Sequence, residues 1–233
     1  MLDRVQSRLF LVVLAAVTLG ACAVPPRPGA SETQLPPAGS TPARTVYEIV
    51  ESDVTVRVYR DGPLARLGHN HVIASTAVTG RIELGEPVSA STLELALPLD
   101  SLTVDDPARR LAAGSDFPDT LTEADREGTR RNMLGSALLD AARFPVMRLA
   151  SVAVEEREDV LRVTTRVEVA GNVRELVVPV VTELRDGALV ARGEFTVTHA
   201  DLGLTPFSVA LGALRVREDL RVTFHLVARK ART

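Results

Sequence analysis

The chain has 233 residues; hydrophobic residues make up 45% of them but aromatics only 3%, with no Trp, so the apolar content is almost entirely Val, Leu and Ala. The formal charge of −3 comes from 27 Lys and Arg interspersed with 30 Asp and Glu, which leaves no basic stripe for a phosphate backbone and excludes nucleic acid as the expected partner. A single cysteine excludes an intrachain disulfide, so the fold must be held by its core.

The first segment is an address. Arg4 and Arg8 precede an uncharged apolar run from Leu9 to Leu19, which has the length of a secretory leader and is too short to span a bilayer comfortably. The run ends at Leu19-Gly20-Ala21-Cys22, which is similar to a bacterial lipobox. That similarity implies removal of residues 1–21, a diacylglycerol on the Cys22 sulfur, and a periplasm-facing lipoprotein anchored to a membrane, expected to be the outer one. Residues 22–44 then read as a tether, because Ala23 to Ala43 is rich in Pro, Gly, Ser and Thr and lacks apolar periodicity. The folded domain is expected over residues 45–233.

From Thr45 onward period-two alternation dominates. Val54, Val56 and Val58 alternate with Thr55 and Arg57; Leu93, Leu95, Leu97 and Leu99 with Glu94 and Ala96; Leu161, Val163, Val167 and Val169 with Arg162, Arg166 and Glu168. Such patterns mark half-buried antiparallel strands. Further strands are predicted over Thr45–Val50, Val72–Leu84, Val146–Val154, Val173–Leu184, Leu189–Thr198 and Asp219–Ala228, with turns at Glu158-Asp159, Gly171-Asn172 and Asp186-Gly187. Between strands, Thr122 followed by Asp125 predicts a capped helix over Glu123–Leu134, while Pro107–Pro118 is expected to be irregular. The fold class is therefore all-β: an antiparallel lipocalin-like barrel of about eight strands with a short helical insertion. An outer-membrane barrel has a similar alternation, but it needs aromatic girdles that this chain lacks.

Strand parity brings Val56, Leu95, Leu97, Val163, Phe195, Val197 and Phe224 to one inner face, and these are the candidate ligand-lining residues. Two histidines, His69 and His71, are the one arrangement that suggests a metal; a third ligand would have to come from His199 or Asp201. Extending the parity of Val72, Ala74, Val78, Gly80 and Ile82 backwards turns both histidines outward, unless Gly68 marks a bulge. His225 is expected to be solvated, and Asp105-Asp106 and Glu155-Glu156 read as turn and surface charges. No nucleophile elbow, phosphate loop or paired carboxylate site is present, so neither an enzyme nor a cofactor is indicated.

Several local patterns, in order, resemble the YceI-like family. Tyr47-Glu48-Ile49 followed by Asp53-Val54-Thr55-Val56 is similar to that family's first hairpin, and Val78-Thr79-Gly80-Arg81-Ile82 to its V-x-G-x-I strand. Leu134-Gly135-Ser136-Ala137-Leu138-Leu139-Asp140 with Phe144-Pro145 resembles its L-x-S-x-x-F-F-D segment, and Thr198 to Leu204 its D-F-G turn. Asn132 and Met133 stand where the family often has His-Leu, and Leu139 and Leu202 each replace a Phe. The resemblance implies a barrel that holds a lipid, polyisoprenoid or other long-chain amphiphile. A structural or interaction lipoprotein with a side-chain-filled barrel is the alternative, a metal site at His69/His71 a third reading, and the assembly leaves a homodimer open. A continuous apolar cavity separates the first two.

Overall fold

The computed structural model describes residues 44–232; the expected leader, Cys22 and all but the last residue of the expected tether lie outside them. Eleven strands and two α-helices follow among the described residues. They are β1 (Arg44–Asp61), β2 (His71–Ser75), β3 (Thr79–Gly85), β4 (Thr92–Pro98), β5 (Thr103–Val104), α1 (Pro107–Ala113), α2 (Glu123–Leu134), β6 (Val146–Arg157), β7 (Val160–Val169), β8 (Asn172–Arg185), β9 (Ala188–Thr198), β10 (Ser208–Val209) and β11 (Leu214–Lys230). Neighbours are antiparallel, and the ring runs β1, then β2 and β3 end to end, β4, β6, β7, β8, β9, β11 and back to β1. With β2 and β3 sharing one place, this is a closed eight-stranded barrel. Its seam is the ladder from Tyr47 opposite Lys230 to Asp61 opposite Arg215.

The alternation seen in the sequence survives, with local phase changes. Ile49 lies opposite Ala228 and Glu51 opposite Val227, so Val50 is an extra residue that switches the inner row from Tyr47 and Ile49 to Val54, Val56 and Val58. The expected first hairpin is therefore one bulged strand, because both halves stay on the β11 ladder. A second phase change divides the predicted Val72–Leu84 strand. Ser75 Oγ accepts from the Ala77 amide at 3.1 Å and Ser52 Oγ from the Val78 amide at 3.0 Å, so hydroxyls replace ladder bonds at the break. Odd residues face inward on β2 and even ones on β3, where Gly80 (φ +132°) lies so close to β4 that a Cβ would collide with the Glu94 carbonyl oxygen.

The stretch expected to be irregular contains α1. Asp106 accepts from the Arg109 amide at 3.0 Å and Pro107 occupies the first turn, where its missing N–H is no loss. α1 packs on β2 and reaches the outer face of β1, where Arg109 Nη1 donates to Asp53 at 2.6 Å and to Thr55 at 3.2 Å. α2 has the predicted bounds and a complete capping box between Thr122 and Asp125. The turn expected at Gly171-Asn172 sits one residue earlier, since Ala170 and Gly171 both take positive φ and the strand resumes at Asn172.

Apolar side chains from all round the ring converge inside. The large core cluster joins Ile73, Leu97, Val104, Val167, Val197, Leu220 and Leu226 with Leu99, Leu139 and Leu202 from the connections at the helical end. A smaller cluster of Tyr47, Leu189 and Ala228, packed with Ile82 and Leu84, closes the opposite end. Each fully buried Val or Leu stabilises the fold by about 1.5–3 kcal/mol, and with no disulfide to assist, these clusters hold the barrel.

Candidate functional site: the barrel interior

The inner wall is built by strand register. Val222 lies opposite both Val56 on β1 and Phe195 on β9, Phe224 opposite Gly193, and Leu97 opposite Met147 on β6. Of the candidate lining residues, Leu97 and Val197 belong to the large cluster and Val56, Leu95, Phe195 and Phe224 pack against it. Val163 is the exception. It is buried, opposite Val154 and Val178, but stands apart from that cluster. Phe195 and Phe224 meet edge to face with centroids 6.4 Å apart, and the Phe224 ring lies over Gly193, where a Cβ would come within 2.6 Å of it.

Many of these inner side chains are only half-buried, Val56, Leu95, Leu149, Leu176, Phe195, Val222 and Phe224 among them. The wall also parts in one place. β8 and β9 are laddered only from Val181 opposite Arg192 to Arg185 opposite Ala188. Nearer the helical end β8 continues on β7 and β9 on β11, with no β8–β9 ladder among the described residues. Pro179 has no N–H to offer at this fork. The window so formed is bounded below by Gly193 against the Pro179 carbonyl and above by Gly203 against Asn172 and Arg174. No sequence pattern announces it, because both flanking strands keep their alternation on their other neighbours.

The helical end is plugged. Met133, Leu134, Leu138 and Ala141 pack beside Leu139 against the large cluster to which it belongs, and Arg130 ties α2 to the carbonyls of Leu102 and Asp100. Here the structure corrects the reading of the histidines. The phase change lies between β2 and β3 rather than at Gly68, so His71 faces inward with Ile73, opposite Val58. Its Nδ1 donates to Asp105 Oδ2 at 2.6 Å. Asp105 is no surface charge: it is 0% exposed, and its Oδ1 accepts from the Val72 amide at 2.9 Å and from Arg110, 1% exposed, at 2.5 Å. Burial by itself would raise the Asp105 carboxyl, but the hydrogen bond and charge of His71, the Val72 amide and Arg110 outweigh it and hold the group below the ordinary carboxylate range. Arg110 in turn donates to the carbonyls of Asn70 and Pro118, so this network pins the α1 insertion to the barrel.

His69 is exposed, its ring centroid 6.5 Å from that of His71. The suggested third ligands are used elsewhere: His199 Nδ1 donates to the Glu218 carbonyl at 3.0 Å, and Asp201 accepts from the Thr198 amide at 2.8 Å. Among the described residues no three His, Cys, Asp or Glu side chains gather as a metal would require. His225 is exposed on the outer face. A polar surface hollow of about 260 Å³, lined by Arg81, Glu83, Thr92 and Glu94 between β3, β4 and β6, does not suit an apolar chain.

No curated protein matches the chain. Among solved structures it is similar to BcnA of Burkholderia cenocepacia, at 13% identity and a TM-score of 0.56 over 76% of this chain and 95% of that one. It is likewise similar to a polyisoprenoid binding domain from Saccharophagus degradans implicated in plant cell wall breakdown, at 11% identity and a TM-score of 0.52 over 80% of this chain and 99% of that one. At such identities the likeness speaks for the fold. The model of the YceI-like domain matches residues 47–228, from the Tyr47 that closes one end of the barrel to Ala228 beside it. The chain therefore belongs to the YceI-like domain family.

Proposed function

We propose that this protein binds a lipid, a polyisoprenoid or another long-chain amphiphile inside its barrel, as an envelope lipoprotein held to a membrane through Cys22 with the barrel in the periplasm. The observation that carries the reading is the row of half-buried apolar side chains on the inner wall beside a window between β8 and β9. A core built only to fold would bury these residues, since interiors pack densely. With the ends occupied by the α2 connection and the Tyr47 cluster, the window is the path for a flexible chain. A polyisoprenoid, the ligand for which the similar Saccharophagus degradans domain is named, has this chemistry.

Mass spectrometry of organic extracts from natively purified protein tests the reading. The wild type is expected to yield a long-chain amphiphile. Val56→Trp, which fills the middle of the interior, should lose that amphiphile while overpacking costs about 1–3 kcal/mol of stability. A barrel that never yields an extractable amphiphile, and that loses stability alike at every inner position, would be the side-chain-filled structural alternative.

A further inference from the structure

On the outer face of the seam, Arg57 of β1 lies directly opposite Arg221 of β11. Both point away from the interior, because Val56, Val58 and Val222 on either side of them pack against the core. Directly opposed residues hold their Cβ atoms about 4.5–5.5 Å apart, and like charges in that position destabilise a sheet. Carboxylates nearby do not relieve the pair. Asp219 is taken by Arg217 at 2.8 and 2.9 Å, and Asp53 by Arg109 at 2.6 Å. Glu194, opposite Thr223, is one diagonal step from Arg221 and forms no ion pair with it. Among the described residues neither Arg57 nor Arg221 has a carboxylate within 4.0 Å.

Two further features make this more than a crowded surface. Arg57 Nε is buried and has no hydrogen-bond partner, and a desolvated guanidinium donor without an acceptor is costly. The guanidiniums of Arg217 and Arg221 also lie 5.4 and 5.5 Å from the Tyr59 ring, which is itself 5.4 Å from the Phe117 ring of the insertion. Stacking of this kind holds the charged groups in place before any ligand arrives.

We propose that Arg57 and Arg221 form a binding site for a phosphate-type oxyanion on the outer wall of the barrel, beside the α1 insertion. A phosphate monoester or diester offers adjacent oxygens that match the N–H fork of a guanidinium, and its charge removes the repulsion across the seam. The site is separate from the barrel interior, and its chemistry is shared by free phosphate and by the headgroup of a phospholipid.

The test uses the full chain in non-ionic detergent, titrated calorimetrically at constant ionic strength with inorganic phosphate and, separately, with dihexanoylphosphatidylglycerol below its micelle concentration. Saturable binding of at least one probe is expected. Binding of phosphate alone supports a soluble anion, and binding of the lipid alone supports a headgroup. Arg57→Gln and Arg221→Gln should each weaken the bound probe about tenfold or more, while Arg166→Gln, exposed on β7 and 3.8 Å from Glu175, should not. If Arg57→Gln fails to fold, the more exposed Arg221→Gln decides the matter. No saturable binding of either probe, or binding that Arg221→Gln leaves unchanged, overturns the proposal.

Discussion

Asp105 is a fully buried carboxylate shared by His71, Arg110 and a backbone amide. Removing one partner of such a pair leaves the other charge buried and alone, so Asp105→Asn should cost about 3–5 kcal/mol in urea unfolding at neutral pH. The pH dependence has a definite sign. Because the folded carboxyl is held below its ordinary value, its contribution is fully present above the ordinary carboxylate range and is lost as pH falls through the depressed folded value. Wild-type stability should therefore drop steeply below about pH 4, and the Asp105→Asn protein should show a shallower drop. Equal slopes for the two proteins would refute this role. In the sequence Asp105 reads as a surface charge, since two adjacent aspartates before a proline look like a turn. The missing information is the long-range partner: nothing local indicates that His71 and the Val72 amide, 34 and 33 residues back in the chain, meet this carboxylate.

At the scale of elements, signals that act within one turn are legible and signals that act across strands are not. The capping box of α2 is such a local signal, and the helix begins and ends where Thr122 and the helix formers after it predict. Thr122→Ala removes the hydroxyl that accepts from the Asp125 amide and should cost about 0.5–2 kcal/mol, read as a lowered urea midpoint without a change in slope. Asp106-Pro107 is a comparable start signal for α1, visible in the sequence but obscured by the short, Arg-rich segment that follows it. The bulge at Val50 and the break between β2 and β3 have no such signature. The bulge shows only in the register against β11, and the break is bridged by the Ser52 hydroxyl 26 residues away; each reverses which face a residue takes. That reversal is why parity puts His71 outside and the structure puts it inside.

At the scale of the whole molecule, the barrel closes by joining its first strand to its last, so the interior exists only once β11 has docked on β1. Period-two alternation is enough to predict an eight-place barrel, and six of the seven candidate lining residues lie in or against one cluster; Val163 is buried but stands apart, because alternation tells direction and not depth. The anchor is proposed at the other end of the chain. Cys22→Ser should move the protein from the membrane to the soluble fraction or leave an uncleaved precursor, and the wild-type N-terminal peptide should carry a lipid mass; unchanged fractionation without that mass would refute the anchor. The parting of β8 and β9 also has a consequence for motion. Amides that face the window have no strand partner, so their hydrogens exchange with solvent at a rate set by access rather than by strand separation. Amides along the β1–β11 seam exchange only when the barrel opens as a whole. The wall is thus uneven in its protection, slowest at the seam that completes the ring and fastest at the window.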